Sequence, residues 1–301
     1  MRLFYSDVFV LPLPSHHRFP MGKYSRLRDR LLAGGEFPLD DFCVPEGVRD
    51  ADITRVHCPG YLGRVVSGAL SAAEQKAIGF PWSERMVERS RRSSGATLAA
   101  AREALTRGWA ANLAGGTHHA FRDRGEGFCV FNDAAIAARA LQEEAGLQRI
   151  AIIDCDVHQG NGTAAIFSGD DSVFTFSIHG ARNFPFAKEA SDLDVDLADG
   201  TGDDEYLWHL ERALDETLER SRPQLAIYLA GADPYEGDRL GRLKLTKQGL
   251  ARRDEMVLGT LAARAIPAAI TMAGGYARDI EDSVDIHATT IGIARRAWEH
   301  A

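Results

Sequence analysis

Apolar and polar positions alternate along this chain in two distinct ways. Short, nearly continuous apolar runs lie at Trp109–Leu113, Ile150–Ile153, Val173–Ile178, Leu225–Ala230 and Ala268–Met272. Runs of this length predict buried strands. Helical patterns separate or follow them at Asn132–Gly146, Thr163–Phe167, Asp203–Arg220, Thr246–Ala265 and Ile280–Trp298. Strand then helix, repeated, predicts an α/β fold: three layers, with a mainly parallel sheet between helices. Upstream the pattern is less regular. Leu3-Phe4-Tyr5 reads as a first strand and Lys23–Leu32 as a helix that the Gly34-Gly35 pair ends. Short strand-like pieces and loops follow from Asp40 to Gly60, then helical patterns at Gly60–Leu70 and Ser83–Arg107, with Ser83 as the capping residue of the latter. No repeat, low-complexity tract or long linker interrupts residues 1–301, which read as one domain.

Composition narrows the function classes. Hydrophobic residues make up 45% and charged residues 26% of the 301, an ordinary globular balance. The formal net charge of −8 argues against nucleic acid as a partner, because phosphate binding needs a basic face. Residues 1–19 lack a long apolar core and soon reach Pro12, Pro14, His16 and His17, so neither a signal peptide nor a membrane span is expected. Cys43, Cys58, Cys129 and Cys155 form no Cys-x-x-Cys pair. Reduced thiols and a cytoplasmic setting are the expectation.

Candidate chemistry gathers where the predicted strands end. The Ile150 strand runs into Asp154, Asp156 and His158, which an extended backbone would point to one side. Two glycines then allow a turn into a helix from Thr163. The Trp109 strand leads to Gly115-Gly116-Thr117-His118-His119, and the Val173 strand to His179. The Leu225 strand leads to Gly231-Ala232-Asp233, and the last strand to Gly274-Gly275-Tyr276. Ligands of open parallel sheets bind beyond such carboxyl ends. Any one of these segments is compatible with turn chemistry alone; five together are not easily so explained. Asp156, His158 and Asp233 offer two carboxylates and an imidazole to a divalent metal. His118 and His119 are both candidates for acid–base work. Asp154, and more weakly Asn161, can orient a histidine. Tyr276 can donate to an oxyanion. These parts describe metal-assisted hydrolysis of an amide.

The segments Gly-Gly-Thr-His-His-Ala (115–120), Gly-Phe-Cys-Val-Phe-Asn-Asp (127–133), Asp-Cys-Asp-Val-His-Gln-Gly-Asn-Gly-Thr (154–163), Gly-Ala-Asp (231–233) and Gly-Gly-Tyr (274–276) resemble the zinc-dependent histone deacetylase family, with its arginase-like deacetylase fold. The likeness extends upstream to Phe19–Tyr24, and the short chain with Asp203-Asp204-Glu205-Tyr206 is most similar to the compact class IV and bacterial branch. The resemblance implies zinc at Asp156, His158 and Asp233, with ferrous iron the alternative. It implies His119 as general base and then acid, and His118 as an electrostatic group oriented by Asp154. Tyr276 would polarise the scissile carbonyl. Gly127, Phe128, Phe184, Leu240 and Gly275 would border the substrate. A structural potassium ion is implied at Asp154, Asp156, His158, Ser177 and Ile178. The implied substrate is an Nε-acyl-lysine of a protein or peptide; a small acylated amine such as an acetylpolyamine is the alternative, and a silent acyl-lysine-binding module a third reading. The oligomeric state stays open. Two positions depart from the family pattern. Asn161 stands where several branches have Asp, which leaves its histidine partner less basic. Leu240 stands where polyamine-specific relatives have an acidic gate, although Glu236 and Asp238 are close by.

Overall fold

The computed structural model describes residues 1–14 and 17–299; His16 of the N-terminal stretch lies outside them. Eight strands, all parallel, form one sheet among the described residues: β1 (Leu3–Phe4), β2 (Phe42–Cys43), β3 (Trp109–Asn112), β4 (Ile150–Asp154), β5 (Val173–Gly180), β6 (Leu193–Leu197), β7 (Leu225–Leu229) and β8 (Ala268–Thr271). Their spatial order is β2-β1-β3-β8-β7-β4-β5-β6. The four central strands β3, β8, β7 and β4 are wholly buried, which is why their sequences run apolar without alternation.

The helices are α1 (Lys23–Ala33), α2 (Asp50–Thr54), α3 (Pro59–Ser67), α4 (Ala72–Ile78), α5 (Glu84–Arg107), α6 (Asp133–Ala145), α7 (Asn161–Phe167), α8 (Asp203–Ser221), α9 (Lys247–Ala263) and α10 (Ile280–Glu299). They pack as two sets, α3–α5–α6–α7 and α1–α10–α9–α8, giving the three-layer α/β/α arrangement. Capping side chains set several starts: Ser83 accepts from Met86 N, Asn132 from Ala135 N and Thr246 from Gly249 N.

The structure departs from the sequence expectations at several places. No expected strand covers the edge strand β6. Its Leu-Asp-Val-Asp-Leu sequence puts carboxylates at alternate positions, which lowers strand propensity but suits an exposed edge. Nor does any expected helix cover the short α2 and α4, each too brief for periodicity to register. Helix α7 begins at Asn161 rather than Thr163. His179 belongs to β5 itself; its ring meets Ser177 Oγ at 2.9 Å and Asp196 at 3.0 Å. Finally, β4 stops at Asp154, and the chain bends through Asp156 and His158 rather than continuing extended.

Helix α5 is crossed closely by the Glu46–Val48 segment at Gly95, where a Cβ would overlap the Glu46 carbonyl oxygen. Alanine is the better helix former by about 1 kcal/mol. Overpacking against backbone costs roughly 1–3 kcal/mol, so the clash should win. Gly95→Ala should therefore lower the urea midpoint of unfolding; an unchanged or raised midpoint would contradict this packing.

Candidate active site

Spatial order, not chain order, assembles the site. Strands β3, β8, β7 and β4 are neighbours, so the segments after them meet at one end of the sheet. His158 Nδ1 lies 2.9 Å from Asp156 Oδ1 and 3.2 Å from Asp233 Oδ2. One donor atom from each of the three residues lies within 4.8 Å of the others. Backbone N–H groups hold the remaining carboxylate oxygens: Gly274 N donates to Asp156 Oδ2 at 2.7 Å, and Val157 N to Asp233 Oδ1 at 2.9 Å. Asp233 Oδ2 is wholly buried and has no well-formed hydrogen bond.

The charges here are tightly interdependent. Burial opposes a charged His158, yet Asp156 and Asp233 outweigh it and raise the imidazole to about 10. Burial, reinforced by Asp156, pushes Asp233 up to about 7. Burial also works against Asp156, but His118 and His158 hold it well below the usual carboxylate range. Two buried carboxylates thus converge on a place that calls for positive charge. Carboxylate oxygens and a neutral imidazole are the donors a divalent ion takes, so the residues present fit a metal. Gly274 lies against them; a Cβ there would overlap Asp233 Oδ2 and crowd Asp156 Oδ2 at 2.5 Å.

The Gly115–His119 segment brings two imidazoles beside this centre. Gly115 and Gly116 both have positive φ, 79° and 73°, and Gly116 passes against Ala273 too closely for a side chain. His118 Nδ1 lies 2.6 Å from Asp154 Oδ2, and His119 Nδ1 lies 2.7 Å from Asn161 Oδ1. The two rings are 4.1 Å apart, and that of His119 is 6.0 Å from His158. Burial disfavours a charged His118, but Asp154 and Asp156 overcome it and raise the ring to about 9. For His119, burial and then the neighbouring His118 and His158 push the value well below the ordinary one. Two adjacent histidines therefore differ in charge because one faces a carboxylate and the other an amide.

Tyr276 is buried, its ring 5.7 Å from Phe19, 6.0 Å from Phe128 and 6.4 Å from His158. Burial, with Asp156 and Asp233 adding to it, raises the phenol well above its usual value, so it stays a hydrogen-bond donor. A cavity of about 570 Å³ leads from the surface to His119, His158 and Tyr276, between walls that include Gly127, Phe128, Phe184 and Leu240. Phe184 stands edge-on to His119 at 4.9 Å. A smaller cavity of about 30 Å³ lies behind, bordered by Tyr24, Arg89, Cys129 and Gly274. Gly275, expected beside substrate, has a φ of 147°, and its carbonyl accepts from Lys23 Nζ at 3.3 Å. Ser177 pairs with Asp154 in the β4–β5 register, with Ile178 next to it.

Three further side chains support the site through contacts that no motif shows. Asp133 is fully buried and accepts from Gly116 N at 2.9 Å, Thr117 N at 2.7 Å and the hydroxyls of Thr97 and Thr117, fixing the histidine segment. Lys23 donates to the carbonyls of Ala273 and Gly275. Asp238 accepts from Leu240, Gly241 and Tyr276 N–H groups. Asp133 and Lys23 both stood inside motifs already noted, but only contacts could give them roles.

The family model of the histone deacetylase domain matches residues 17–291. The chain belongs to the histone deacetylase family. An uncharacterized protein of Picosynechococcus sp. is 44% identical to it over 294 residues, 98% of either chain. Histone deacetylase 2 of Arabidopsis thaliana is 32% identical over 292 residues, 93% of this chain and 76% of that one. Among solved structures, the crystal structure of the HDA15 HD domain shares the fold, with a TM-score of 0.83 at 21% identity over 98% of this chain and 91% of that one. The chain is thus a histone deacetylase-family hydrolase acting on amides, from a family that is generally zinc-dependent.

Asp133→Asn removes the charge that four donors share while nearly preserving shape. A hydrogen bond to a charged group contributes about 1.5–3 kcal/mol, so several weakened together should lower stability by at least that much. The expected result is a lower unfolding midpoint together with reduced turnover at an otherwise intact metal content; wild-type values of both would contradict the anchoring role.

Proposed function

We propose that this protein hydrolyses the amide of Nε-acyl-lysine in a protein or peptide, with zinc held by Asp156, His158 and Asp233. The observation that carries this reading is the convergence of an amide-tethered imidazole, His119, and a buried phenol, Tyr276, on the metal triad at the floor of one cavity. A divalent ion at the triad supplies Lewis acidity, polarising the scissile carbonyl and acidifying water. The chain's own residues do the rest. His119 donates its Nδ1–H to Asn161, which leaves Nε2 with the lone pair that accepts a proton from the attacking water. The same nitrogen then gives that proton to the departing lysine amine. His118, held charged by Asp154, adds positive potential where negative charge develops. Tyr276 donates its hydroxyl to the carbonyl oxygen as that oxygen becomes an oxyanion. Gly127, Phe128 and Phe184 enclose the lysine side chain, and Leu240 stands at the rim.

The potassium site belongs to the same proposal. It would use oxygens of Asp154, Asp156, His158, Ser177 and Ile178, supported by the side-by-side register of Asp154 and Ser177 and by the burial of both.

Small acylated amines are the weaker reading. Asp238, the acidic candidate nearest Leu240, spends its carboxylate on three backbone N–H groups, and Glu236 is exposed away from the cavity lining. The silent-module reading has no support from a site with both histidines and the tyrosine packed against the triad.

Two outcomes test the assignment. Elemental analysis of dialysed protein should find stoichiometric zinc and potassium; Asp156→Ala and His158→Ala should each lose the zinc and all hydrolysis of acetyl-lysine peptides. Wild-type zinc in both variants would refute the ligand set. Tyr276→Phe should keep fold, metal and substrate binding but lose roughly 10²–10³ in kcat, the usual worth of one oxyanion donor. A near-normal kcat with metal content verified would remove Tyr276 from the reaction.

A further inference from the structure

The mouth of the larger cavity has a charge opposite to that of the whole chain. Its lining includes four cationic side chains, Arg18, Lys76, Arg182 and Arg242, against the single carboxylate of Glu126. The four come from four separate parts of the sequence and are all exposed. Arg182 and Arg242 share Asp199, at 3.7 and 3.1 Å, which offsets part of their charge. Glu126 is itself 3.5 Å from Arg124. Among the described residues, Arg18 and Lys76 face no carboxylate within ion-pairing distance. Lys188 lies beside this mouth, its ammonium donating to the carbonyls of Asn183 and Pro185 on the turn that carries Phe184. At that turn Phe186 is 85% exposed and lines the same mouth, an apolar surface beside the cations. The chain as a whole carries a net charge of −8, so a basic mouth on this background is a local feature that focuses negative charge onto the site.

We infer that the mouth selects an acyl-lysine set in an acidic peptide segment, whose carboxylates meet Arg18, Lys76, Arg182 and Arg242. This rests on the acyl-lysine reading proposed above. The same rim disfavours acetylpolyamines, whose remaining ammonium groups would face four cations.

The test uses zinc-loaded full-length protein bearing Tyr276→Phe, so that bound peptide persists, and reads binding by fluorescence anisotropy. Three acetyl-lysine peptides differ only in having two acidic, two neutral or two basic flanking residues. Exposed ion pairs each contribute a factor of a few, so the acidic peptide should bind about tenfold tighter than the basic one at low salt. Screening should compress the difference at high salt. Charge reversal at Arg18→Glu with Lys76→Glu should abolish or invert the order, and acetylspermidine should compete less well than the neutral peptide. Equal affinities for the three peptides, an order unmoved by charge reversal, or preferential binding of acetylspermidine would overturn the inference. Hydrolysis of the same peptides by the unsubstituted protein is read separately. If the binding order holds but no peptide is cleaved, the deacylase reading fails while the assignment of the mouth stands.

Discussion

Asp156 and Asp233 place two carboxylates within reach of one imidazole at the buried end of an apolar sheet, and the architecture around them follows from that cost. An unpaired charge in such a place costs several kcal/mol. Two kinds of compensation are visible. Backbone N–H groups of Val157, His158 and Gly274 point at the carboxylate oxygens. His158 stands between the two acids. The geometry that remains suits a divalent ion, whose charge would replace the proton that the carboxylates otherwise hold on the histidine. Close packing of backbone against these carboxylates explains the glycines: at Gly231 a Cβ would lie 2.8 Å from Asp156 Cα, and at Gly274 it would displace Asp233.

Irregular backbone beyond strand ends creates a second demand, because its polar groups have no sheet or helix partners. Each segment of the site meets this demand with a buried charged side chain from elsewhere. Asp133, at the start of α6, gathers the N–H groups of the histidine segment. Lys23, at the start of α1, takes the carbonyls of Ala273 and Gly275 under the tyrosine. Arg253, in α9, donates to the carbonyls of Gly231 at 2.6 Å and Cys155 at 3.3 Å, behind the two metal-site carboxylates. Helices on both sides of the sheet thus hold the loops of the candidate site by charge-assisted hydrogen bonds, which are the stronger kind.

The contrast between the two histidines shows how small differences in partners become differences in role. His118 and His119 are adjacent in sequence, equally buried and 4.1 Å apart as rings. Asp154 keeps one charged, whereas Asn161 orients the other without supplying a counter-charge. A neutral imidazole next to a charged one is suited to accept a proton, and an Asp at position 161 would make the pair more alike.

Much of this was legible in the sequence. Buried parallel strands have a near-continuous apolar signature, so β3, β4, β5, β7 and β8 could be read directly, and the motifs after them named Asp156, His158, Asp233, the two histidines and Tyr276. Weaker local signals failed for physical reasons. The strand β6 carries alternating aspartates, α2 and α4 are too short to show a period, and the bend after Asp154 has no periodicity at all. Only the tertiary structure decided the strand order β3-β8-β7-β4, because pairing between distant segments is set by packing of the whole sheet rather than by any one strand. It supplied the contacts behind the different places expected for Asp154 and Asp156: Asp154 lies 2.6 Å from His118 Nδ1, and Asp156 lies 2.9 Å from His158 Nδ1. It also showed that the Asp238 carboxylate accepts from backbone N–H groups, and that Lys23, Asp133 and Arg253 reach the site from separate helices. Residue type fixes what a group can do; which partners it meets depends on how far-apart segments pack, and that is a property of the folded chain.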